Sequence, residues 1–93
     1  MIILVLSTRK ESYEKFIDVW KLLSAKTEFQ VILYEGDAEK SSFDGLTLKL
    51  PVPDSLDFCA MKTHRALSWI RQNYPDEYVL RTNLSSLWDF SLL

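Results

Sequence analysis

The chain opens on an unbroken aliphatic run, Ile2-Ile3-Leu4-Val5-Leu6, and turns polar at Ser7-Thr8-Arg9-Lys10. Continuous β-branched and aliphatic runs of this length mark strands covered on both faces, as in parallel sheets. Thr8 and Glu11 stand at the spacing of a capping box. After them Tyr13, Phe16, Ile17, Trp20 and Leu23 recur at three- and four-residue steps, which predicts an amphipathic helix over 11–25. Glu14, Lys15, Asp18 and Lys21 fall on its opposite face. Val31-Ile32-Leu33 centres a second buried strand over 30–34, ended by Glu35-Gly36-Asp37. The stretch 37–45 is polar without periodicity and reads as a loop. Leu46-Thr47-Leu48-Lys49-Leu50 alternates with period two, a half-exposed third strand, and Pro51 and Pro53 stop it. A second long helix follows over 57–73. Phe58, Met61, Leu67, Ile70 and Tyr74 supply its apolar face, with Trp69 beside it and Pro75 beyond its end. Tyr78 to Leu80 forms the fourth strand, which delivers Arg81-Thr82-Asn83.

The predicted order is β-α-β-β-α-β. Strands separated by helices imply right-handed crossovers. The expectation is therefore an α/β, Rossmann-like domain: a mostly parallel sheet of about four strands with two long helices. Residues 1–93 read as one such subdomain, with no repeat or linker. Leu87, Trp88, Phe90, Leu92 and Leu93 keep the tail apolar to its last residue, whereas chain ends are usually polar and loosely held. This predicts a subdomain truncated at its C-terminus, short of a further domain. The alternative is a tail that pairs with a partner or a second copy through Trp88–Leu93.

Charge narrows the choice of partner. Eleven basic against thirteen acidic residues leave a net charge of −2, without the basic excess that nucleic acid requires. No apolar run approaches the roughly 20 residues of a membrane span. The single Cys59 excludes an intramolecular disulfide, and a reducing, cytoplasmic location is expected. With only Gly36 and Gly45, neither a dinucleotide fingerprint nor a phosphate-binding P-loop fits. His64 is the only histidine and reads as a surface or packing residue.

Ligands of open α/β sheets sit outside the carboxyl ends of the strands. Three polar segments converge there: Ser7-Thr8-Arg9-Lys10, Glu35-Gly36-Asp37 and Arg81-Thr82-Asn83-Leu84-Ser85-Ser86. They offer the cations, hydroxyls and carboxylates that hold a nucleotide diphosphate. Polar loops that merely cap buried strands fit the same residues.

Met61-Lys62-Thr63, Ala66-Leu67-Ser68-Trp69-Ile70 and Tyr78-Val79-Leu80-Arg81-Thr82-Asn83 together resemble GT-A glycosyltransferases, most closely the β-1,3-galactosyltransferase-like group and related viral glycosyltransferases. Asp54-Ser55-Leu56 also resembles the stretch before that group's helix, so the likeness covers residues 54–90. It implies the nucleotide-binding half of a transferase that moves sugar from a nucleoside diphosphate sugar to a glycan or glycoprotein hydroxyl. The acceptor half, which supplies the catalytic base, is missing, and no catalytic residue is assigned here. The resemblance puts Thr8 and Arg9 at the nucleotide and phosphates, Asp37 at the base or ribose and Lys62 near the diphosphate, with Arg81 and Asn83 also among the donor-binding residues. The family's Asp-x-Asp holds Mn²⁺ or Mg²⁺, which want carboxylate oxygens. The matching positions here are Asn83-Leu84-Ser85, so Asn83 and Ser85 offer neutral oxygens, with Asp89 nearby. The alternative function is a non-catalytic α/β interaction module pairing through its apolar tail.

Overall fold

A computed structural model describes residues 1–8 and 14–83, Leu56 in its backbone only. Seven regular elements follow in order: β1 (Ile2–Leu6), α1 (Glu14–Lys26), β2 (Gln30–Glu35), β3 (Ser42–Phe43), β4 (Thr47–Lys49), α2 (Cys59–Asn73) and β5 (Val79–Asn83). A 3₁₀ turn, Leu56–Phe58, leads into α2. The sheet order is β3-β4-β2-β1-β5. β1 lies parallel to β2 and β5, and β2 parallel to β4, while β3 runs antiparallel to β4. The protein is thus an α/β fold with a five-stranded mixed sheet and two helices, not a four-stranded sheet.

The extra strand lies inside the stretch read as a loop. Ser42 pairs with Lys49 and Phe43 with Leu48. The turn between them is set by Asp44, whose Oδ1 accepts from the Leu46 and Thr47 amides at 2.9 and 2.7 Å, and by Gly45 at φ +104°. A side chain bonding to backbone amides just ahead of it mimics a backbone turn. Two residues are too few to show a period, so this strand leaves no pattern in the sequence.

Strand alternation divides the core. Ile2, Leu4, Ile32, Tyr34, Leu48 and Leu50 pack with Ala66 and Ile70 of α2. Ile3, Val5, Val31 and Leu33 pack on the other face with Trp20 of α1, joined by Phe16, Ile17 and Leu23. Each fully buried aliphatic side chain contributes about 1.5–3 kcal/mol.

α2 buries only part of the predicted face: Ile70 is in the core, with Trp69 and Tyr74 packed against it. Its buried stripe is Lys62, Ala66 and Ile70, while Phe58, Met61 and Leu67 are exposed. Trp69 packs against Phe43, with ring centroids 5.0 Å apart. β5 also differs: it begins after Tyr78 and runs on through Asn83, so Arg81, Thr82 and Asn83 are strand residues paired with Leu4, Val5 and Leu6.

β2, β4 and the edge strand β3 all lie on one side of β1, and α2 then carries the chain back to β5 on the other side. The winding therefore reverses between β1 and β5. Arg9, Ser85 and the Trp88–Leu93 tail lie outside the described residues.

Candidate functional site

The carboxyl ends of β1, β2 and β4 are tied together through one side chain. Asp54 sits in the loop between β4 and α2, and Lys62 Nζ meets its Oδ1 at 2.7 Å. The side chains of that pair are only 5 and 3 % exposed. The Gly36 amide donates to the same oxygen at 3.1 Å, and the Thr8 hydroxyl donates to Oδ2 at 2.9 Å. Lys62 also donates to the Ser7 carbonyl at 3.0 Å. The Asp54 amide in turn donates to Asp37 Oδ1 at 3.0 Å. A lysine and a carboxylate can leave water together only when paired and further hydrogen-bonded, and each of these two groups is.

The backbone here has little freedom. A Cβ on Gly36 would fall 2.3 Å from the Val52 carbonyl oxygen, so only glycine fits where β2 passes that loop. Asp37 follows with φ +59°, and its amide donates to the same carbonyl at 2.7 Å.

A second cluster lies on the α2 face of the sheet. Arg81 stands beside Leu4 in register and donates from Nε to Tyr34 Oη at 3.0 Å. Tyr34 Oη and Thr63 Oγ1 share a hydrogen bond of 2.7 Å. Arg81 Nη2 reaches Cys59 Sγ, the first residue of α2, at 3.8 Å. The bond to Tyr34 holds the guanidinium above its ordinary pKa, so its charge is fixed.

The structure thus brings Thr8, Asp37 and Lys62 into one network and places Arg81 in another. Asn83 ends β5, exposed, beside Leu6. Lys62 is buried and engaged with Asp54 and Ser7, and Thr8 gives its hydroxyl to Asp54. Four contributors carry no role in the sequence reading: Asp54, Tyr34, Thr63 and Cys59. Only Asp54 left a signal. A lysine at the head of the spacing Lys62-Ala66-Ile70 lies on one helix face with two apolar residues, and a buried lysine demands a counter-ion.

The metal expected with Asn83 and Ser85 can be tested on the donor set. Hard divalent cations take carboxylate oxygens. Asn83 offers a neutral amide, Asp54 is bonded to Lys62, Gly36 and Thr8, and Asp37 accepts from the Asp54 amide. Among the described residues no three His, Cys, Asp or Glu side chains converge as a metal-binding group. At this edge the described Asp37 and Asp54 carboxylates are already hydrogen-bonded, and Asn83 brings no charge.

Compared with models of protein families, with curated proteins and with solved structures, the chain finds no match. Among the described residues no helix is long and apolar enough to cross a membrane.

Proposed function

We propose that the carboxyl edge of this sheet binds a nucleoside diphosphate sugar, as the Rossmann-like donor half of a GT-A-type glycosyltransferase acting on a glycan or glycoprotein hydroxyl. The observation that carries the reading is the gathering of Thr8, Asp37 and Lys62, from three separate segments, around Asp54 at the ends of the parallel strands. The winding reverses between β1 and β5, and in open α/β sheets that reversal is where ligands bind. Arg81 and Asn83 stand on β5 across it. In this reading the Asp54–Lys62 pair fixes the loops, and Thr8, Asp37, Arg81 and Asn83 present their polar groups to the donor. A cytoplasmic setting accompanies it, and chemistry at the sugar awaits an acceptor half. Calorimetric titration of UDP, GDP and their sugars tests the reading. Saturable binding of at least one supports it, and no heat from folded protein with any of them overturns it.

A second reading, an interaction module, is favoured by exposed large apolar side chains: Phe58 in the turn before α2, Met61 and Leu67 on α2, and Tyr78 at 83 % exposure ahead of β5. A concentration-dependent dimer in sedimentation, without nucleotide binding, would select it.

A further inference from the structure

Resting on the donor-site reading, we propose that Arg81 is the cation that receives the ligand's diphosphate, and that this binding needs no divalent metal.

Among the described residues, the two basic residues that the donor reading offers, Lys62 and Arg81, differ in what holds them. Lys62 is 4 % exposed and already neutralised by Asp54. Arg81 is exposed, and its hydrogen bonds go to a phenol oxygen and a thiol, neither of which cancels its charge. Among the described residues no carboxylate pairs with it. A guanidinium has five N–H donors, and two are engaged here, which leaves three for an incoming anion. Its placement is also set in advance. Tyr34 is fully buried, and the bond to Thr63 fixes its hydroxyl, so Arg81 is held by a rigid neighbour. Guanidinium groups bind phosphate oxygens in bidentate fashion. Among the described residues the carboxylates of this edge, Asp54 and Asp37, are already taken up by Lys62, Gly36, Thr8 and the Asp54 amide, so the positive charge opposite a diphosphate falls to the arginine. Tyr34 and Thr63 act as positioning residues.

Pyrophosphate and UDP are the probes, each titrated in EDTA and again with Mn²⁺. The wild type is expected to bind both equally in the two media. Arg81→Gln should weaken both by about tenfold or more, as for loss of a charge-assisted bond, at an unchanged melting temperature. Arg81→Lys should retain part of the affinity, and Tyr34→Phe should weaken binding by freeing the arginine. Cys59, the only cysteine, gives an independent readout because it lies 3.8 Å from the guanidinium. Pyrophosphate should slow its alkylation by iodoacetamide in the wild type and not in Arg81→Gln. Binding that requires Mn²⁺, or that Arg81→Gln leaves intact, overturns the inference while the donor reading stands. Absence of binding by both probes in the folded wild type overturns the inference, and absence of binding by GDP and the UDP- and GDP-sugars as well overturns the donor reading with it.

Discussion

Asp54 bears more of the architecture than its position in a proline-flanked loop suggests. Its carboxylate accepts from Lys62, Gly36 and Thr8, and its amide donates to Asp37, so one residue joins the ends of three parallel strands to α2. Both members of the ion pair are almost fully buried. Removing one leaves an uncompensated charge in the interior, which costs about 3–5 kcal/mol. Asp54→Ala is therefore expected to lose that much in urea denaturation. The double variant Asp54→Ala/Lys62→Met should recover part of the loss, because no buried charge remains. Equal losses in the single and double variants would mean that the pair is not the source.

At the scale of elements, the β3–β4 hairpin hangs on the Asp44 turn. The bonds from the Thr47 and Leu46 amides hold the Asp44 carboxyl below its ordinary value of 3.8. A group whose pKa is lowered on folding contributes stability above its unfolded value and loses it as pH falls through the folded one. Stability should thus drop in acid, below about pH 4, by a component that Asp44→Asn lacks, since its amide does not titrate. The carboxyl is largely exposed, so solvent screens the effect and the component is small. Urea midpoints of the two proteins at pH 6 and pH 3 check this, and a constant difference between them would contradict it. The same hairpin shows where sequence patterning ends. β1 and β2 were legible because five- and six-residue runs carry a pattern, whereas Ser42–Phe43 is too short to carry one. α2 was legible as a helix, and its facing only in Ile70, Tyr74 and Trp69. Counting apolar residues puts Phe58, Met61 and Leu67 inward, but the buried stripe starts at Lys62, which Asp54 makes tolerable. That pairing spans eight residues and a turn, and helix periodicity does not register it.

For the whole molecule, the two helices cover opposite faces of the sheet and leave its carboxyl edge to the loops. The convergence of the Ser7-Thr8 and Glu35-Gly36-Asp37 segments was readable from strand order alone. The division of labour was not: the Asp54–Lys62 pair fixes the loops, whereas Arg81 stands exposed on Tyr34. Both assignments depend on contacts between residues far apart in the chain. The central claim is that this edge is where a nucleoside diphosphate sugar binds. Its most direct test is a ¹⁵N–¹H NMR titration of the folded protein with UDP and with UDP- and GDP-sugars. The account predicts saturable shifts gathered at the amides of Thr8, Gly36, Asp37, Arg81 and Asn83, with α1 and the β3–β4 hairpin unmoved. No shifts with any of these ligands, or shifts gathered away from this edge, would contradict it.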